Sequence, residues 1–142
     1  MRAPLLTLLL ALAPAAAARA ADAGQDAARS YRIETAGTTV EVEQGGEGKM
    51  VVTILPLQGT HVNAEAPLKV ALSATPGLKL SRDLLGHKDA QEPAGIVQRF
   101  EVPFTATGAG PQEVRARVDF FICSEQWCVK QARDVTVAVH VK

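Results

Sequence analysis

Hydrophobic and polar residues alternate through most of this chain, and the clearest alternation lies near its end. Val114, Ala116, Val118, Phe120 and Ile122 interleave with Arg115, Arg117, Asp119, Phe121 and Cys123. Val135, Val137, Val139 and Val141 then interleave with Thr136, Ala138, His140 and Lys142. A period of two residues predicts strands with one face buried. Upstream, the same rhythm is found in Thr38–Glu43 and Leu68–Ala74, and in Ile96–Thr105, where Phe100, Val102 and Phe104 share a face, while Lys49–Leu55 is a more continuously apolar strand. Tyr31–Thr35 is a short first strand, and Leu78–Leu80 is a brief apolar piece. Glycine and proline punctuate the runs at Gln44–Gly48, Pro56–Gly59, Pro76–Gly77 and Gly108–Pro111. The glycine-rich turn between Thr38–Glu43 and Lys49–Leu55 predicts a hairpin. Pro103 lacks a ladder donor, so its strand is expected at an edge or with a bulge. Ser81–Gly95 is the longest loop, with a single helical turn expected at Asp83-Leu84-Leu85.

Nowhere does a 3.6-residue period persist over three turns. Seven or eight short strands joined by turns predict an all-β fold, an immunoglobulin-like antiparallel β-sandwich spanning residues 31–142 as one domain. Aromatic residues make up only 4% of the chain, so the core is to be built from Val, Leu, Ile and Ala.

The amino-terminal stretch is of another kind. Between Arg2 and Arg19 lie 16 uncharged residues, too few for a membrane span and typical of a signal peptide. Ala18-Arg19-Ala20 fits a small-x-small cleavage site, which assigns residues 1–20 to the signal peptide and residues 21–30 to a flexible leader. No cysteine adjoins the cut, so a lipid anchor is not expected, nor is membrane insertion after cleavage; a retained amino-terminal anchor is the alternative. Export places the protein in the periplasm or outside the cell. Removing Arg2 and Arg19 from 15 basic residues leaves 13 against 15 acidic ones, a mature charge of −2. Such a chain offers no basic stripe for nucleic acid or anionic lipid.

Export also changes the meaning of the two cysteines, because pairs in an oxidising compartment normally form disulfides. Cys123 and Cys128 enclose four residues, a hairpin-loop length, and so face each other across neighbouring strands within disulfide reach. A structural clamp is one use of such a pair, and thiol–disulfide exchange is the other. Glu125, inside the loop, would raise a thiol pKa; no cation lies between the cysteines, and Lys130 and Arg133 are the nearest beyond them. Trp127 either shields the sulfurs or anchors a partner, or else packs over the hairpin tip. His61 hydrogen-bonds near the cysteines if its loop folds toward them, and is otherwise a turn residue. His87 and His140 have no companions in sequence. The cysteine spacing matches no zinc pattern, and no hydrolase set stands out, so neither metal nor other cofactor is expected. The glycine run at Gly45–Gly48 lacks the Lys-Ser/Thr ending of a phosphate loop and is a turn.

The order of several of these features carries a resemblance. Gly59-Thr60-His61-Val62-Asn63 is followed by Pro67 and a strand; a later strand ends Val102-Pro103-Phe104; a glycine-containing turn leads to Val118-Asp119-Phe120-Phe121-Ile122-Cys123 and on to Cys128. This order resembles the periplasmic amino-terminal domain of the membrane thiol:disulfide interchange protein DsbD and its stand-alone relatives. The resemblance implies an immunoglobulin-like sandwich in which Cys123 and Cys128 are a redox pair passing electrons to or from a partner. The family pair has one more residue between its cysteines. The membrane segment and thioredoxin-like domain that accompany the family domain are not in this sequence, so the expected partner is another periplasmic or membrane redox protein. The competing expectation is a non-catalytic envelope binding module with a structural disulfide.

Overall fold

The structure, a computed structural model, describes residues 15–142, with side chains from Asp22 onward. The first 14 residues of the expected signal peptide lie outside the described residues. The helix α1 (Ala15–Arg29) follows, and its residues 21–29 fall in the expected flexible leader. Alanine is the strongest helix former, and the alanine-rich segment takes up the helix. The methyl of Ala27 is fully buried, which docks α1 onto the domain.

Ten strands follow: β1 (Tyr31–Glu34), β2 (Glu41–Val42), β3 (Glu47–Pro56), β4 (His61–Val62), β5 (Lys69–Ala74), β6 (Leu78–Leu80), β7 (Leu84–Leu85), β8 (Gln98–Ala106), β9 (Gly110–Cys123) and β10 (Cys128–Val141). Seven are three residues or longer, and the other three are two-residue bridges. One sheet has the order β1-β3-β8-β6, and the other β2-β10-β9-β5-β7, with β4 beside β9. Two sheets with this non-sequential order form an immunoglobulin-like β-sandwich. Its core lies between them, around Phe100, Phe104, Phe120, Met50, Ile54 and Ile122, each less than 2% exposed. The alternation in sequence translates directly: Val114, Ala116, Val118, Phe120 and Ile122 are all buried, and Gln98, Phe100, Val102, Phe104 and Ala106 likewise.

Three local expectations are corrected. The predicted hairpin between Thr38–Glu43 and Lys49–Leu55 does not form. Thr38 and Thr39 follow the edge of β3, where their hydroxyls accept the N–H groups of Val51 (2.9 Å) and Lys49 (3.1 Å). The chain then changes sheets, and β2 pairs in parallel with the end of β10, His140 opposite Glu41. Threonine hydroxyls stand in for ladder groups there, so the alternation continues while the partner strand changes. Second, the strand holding Pro103 is interior, between β3 and β6. The missing N–H costs nothing because β6 ends at Leu80, and the Pro103 carbonyl still accepts the Ser81 N–H at 2.9 Å. Third, Leu84 and Leu85 form β7 against Val70 and Ala71 rather than a helical turn, because Leu85 finds a core site. A 3₁₀ turn comes later, at His87–Asp89, where the Asp89 carboxylate accepts the Gly86 N–H at 2.8 Å and Arg82 at 2.7 Å.

Gly48 is required by packing, because a Cβ there would come within 2.6 Å of the Phe104 ring.

Candidate redox site

The long β9–β10 ladder aligns fourteen residue pairs, from Gly110 opposite Val141 to Cys123 opposite Cys128. It closes with the Ser124 N–H donating to the Trp127 carbonyl at 2.8 Å. Glu125 and Gln126 occupy the turn, and the Ser124 hydroxyl accepts the N–H groups of Gln126 (3.1 Å) and Trp127 (3.3 Å). No non-glycine residue among the described ones has positive φ, so the tip is not one of the primed turns usual in tight hairpins. The serine hydroxyl supplies the acceptor that a better turn sequence would make unnecessary.

The two cysteines, with Cα atoms 4.1 Å apart, are joined in a disulfide. Their surroundings differ. Cys123 is 2% exposed, while Cys128 lies open to solvent. The difference arises because β9 is flanked on its other side by β4, whereas β10 has no neighbour at this height: His61 pairs with Cys123, and Val62 with Ile122. One cysteine is thereby walled in, and the other lies on the open edge of the hairpin.

Asn63 completes the site. Its Nδ2 donates toward Cys123 Sγ at 3.6 Å and Cys128 Sγ at 3.8 Å. Its Oδ1 accepts the N–H groups of Glu65 and Ala66, both at 2.9 Å. The two backbone donors hold Oδ1, so the amide can turn only its N–H side to the sulfurs. An N–H donor beside sulfur stabilises a thiolate. Sequence reasoning assigned Asn63 no role. Its signal was the Asn followed by Ala-Glu-Ala-Pro, a side chain placed to cap a turn.

The other expected site residues fall around this centre. Trp127, which precedes β10 in the hairpin loop, is half-buried and packs against the core. Glu125 is exposed on the turn. His61 stands opposite Cys123 in the ladder, yet its ring makes no hydrogen bond to either sulfur. It lines a cavity of about 210 Å³ with His87, Ile96 and Gln98. His87 Nε2 donates to the Ala66 carbonyl at 2.7 Å, bracing the segment that carries Asn63. Among the described residues no three His, Cys, Asp or Glu side chains gather as a metal site, and no helix is long and apolar enough to cross a membrane.

Fold and site together define an immunoglobulin-like sandwich bearing a cross-strand disulfide at one end. No protein-family model and no curated protein matches the chain. Among solved structures it is similar to part of alpha-2-macroglobulin of E. coli, at 19% identity and a TM-score of 0.50, over 79% of this chain and 7% of that one. Domains 4 and 5 of the S-layer protein SbsC align at 19% identity and a TM-score of 0.40, over 78% of this chain and 50% of that one. A conjugative transposon lipoprotein from Bacteroides eggerthii aligns at 11% and 0.39, over 75% and 96%. The alpha-2-macroglobulin likeness supports the sandwich fold alone.

Proposed function

We propose that this protein is a thiol–disulfide exchange module of the cell envelope, working through Cys123 and Cys128 with a partner redox protein. The observation that carries the reading is the unequal exposure of the two cysteines beside a fixed amide donor. A staple needs neither an open sulfur nor a donor aimed at it; exchange uses both. The amino-terminal signal pattern supports an envelope location, and the resemblance to the amino-terminal domain of DsbD supports the same chemistry.

In the proposed reaction a partner thiolate attacks Sγ of Cys128. The Cys123–Cys128 bond breaks, its electron pair passes to Cys123 Sγ, and the Asn63 amide steadies the new thiolate. The partner's second thiolate then attacks its own sulfur in the mixed disulfide and displaces Cys128. Two electrons have moved from the partner dithiol to this protein, and solvent supplies two protons. Run in reverse, the same steps oxidise this protein and reduce the partner.

The test is the reduction potential of the pair in the purified protein, read by thiol alkylation across a glutathione series. The expected value lies between about −120 and −270 mV, among exchange proteins. A potential below about −300 mV, or reduction only on unfolding, would replace the proposal with a structural staple in a binding module.

A further inference from the structure

Two residue pairs below the disulfide, on the same outer face of the sheet, Phe121 stands opposite Lys130. Two residues further along β9, Asp119 stands opposite Lys69 of β5. These four residues and Pro67 line a groove of about 440 Å³. Its floor is the half-buried Phe121 ring, and both lysines are exposed at its sides. Asp119 is engaged by Arg117 at 3.5 Å, whereas neither lysine has an ionic partner among the described residues. Glu125 sits on the turn, on the far side of the disulfide from Lys130. The site is therefore polarised along β9 and β10, acidic at the tip and basic on the groove side.

From this arrangement we infer that the exchange partner presents acidic side chains, next to an apolar one, beside its reactive cysteine, and that this groove receives them. The inference rests on the exchange reading and names the partner chemistry that the reading leaves open. Two unpaired ammonium groups attract an anionic segment and favour its thiolate near Cys128. Phe121 supplies the apolar contact that a small ring of charge lacks. A basic partner would meet two like charges and lose encounter rate.

The test compares two synthetic thiol peptides of equal length as reductants of the folded protein: one with Glu and Phe flanking a single Cys, the other with Lys and Phe. The ratio of their rate constants is measured for the native protein and for the K69E/K130E double variant, which cancels the peptides' intrinsic reactivities. Both substitutions are at exposed positions, and thermal melting checks that the fold is kept. The acidic-to-basic ratio is expected to fall by about tenfold or more in the variant at low salt, and the difference to shrink near 1 M salt, where screening acts within about 3 Å. If both peptides reduce the disulfide and the ratio is the same in the two proteins, the groove inference is overturned while exchange stands. If neither peptide nor dithiothreitol reduces the folded protein, the exchange reading falls and the groove inference with it.

Discussion

Asn63 shows how a backbone requirement fixes a side chain for chemistry. The N–H groups of Glu65 and Ala66 need an acceptor where the chain turns off β4, and Oδ1 provides it, so Nδ2 is left to the sulfurs. Asn63→Asp keeps the acceptor and replaces the donor with a carboxylate oxygen. The variant is expected to fold normally, to raise the thiol pKa of the reduced protein, and to slow reduction by glutathione about three- to tenfold. Alkylation rate against pH reads the first effect, and a purely structural Asn63 would leave that profile unmoved. The cysteines were legible in the sequence because four intervening residues dictate a hairpin. Asn63 was not, because its value depends on a strand pairing 60 residues away.

At the scale of elements, the β9–β10 hairpin carries the site, and the disulfide adds little to its order. A ladder of fourteen pairs already aligns the strands. In the chain-entropy model a cross-link closing so short a loop stabilises the protein by about 2 kcal/mol. The C123A/C128A double variant is therefore expected to lose about that much unfolding free energy in urea, with the far-UV dichroism of the native sheet retained. Faster amide exchange should be confined to β4 and the hairpin tip. A loss of sheet signal would show instead that the fold depends on the bond. Strand identity in this region was readable from alternation, since period two is a property of the pleat itself. The sheet to which each strand belongs was not: Thr38–Val42 alternates evenly while changing partners from β3 to β10.

Across the whole molecule, Tyr31 ties the two sheets together. It lies on β1 of one sheet, donates its hydroxyl to Gln131 Oε1 on β10 of the other at 2.9 Å, and meets the Phe120 ring edge-on at 4.9 Å. The Arg133 guanidinium lies over the Tyr31 ring, 5.2 Å from its centre. Burial raises the Tyr31 pKa above its ordinary 10.0, and Arg133 opposes part of that rise. A raised folded-state value means that folding favours the protonated phenol. That stability is fully present below pH 10.0 and is lost as pH climbs from there through the folded value. Unfolding free energy is expected to fall on the alkaline side in the native protein, and less steeply in Tyr31→Phe. At neutral pH the same variant should be destabilised by about 1–3 kcal/mol, because the buried Gln131 oxygen loses its donor. Urea titrations at neutral and alkaline pH check both effects.

The sequence by itself determined that this is an all-β chain, where its long strands run, which faces of β8 and β9 are buried, and that two cysteines oppose each other at a hairpin tip. All of these follow from local rules: side-chain period, turn residues and loop length. The tertiary structure alone decided which cysteine is exposed, that Asn63 faces both sulfurs, that lysines from β5 and β10 share one groove, and that an alanine-rich segment docks as a helix. Each of those depends on which strands become neighbours. That choice is made by summed burial across two sheets, and no stretch of local pattern contains it.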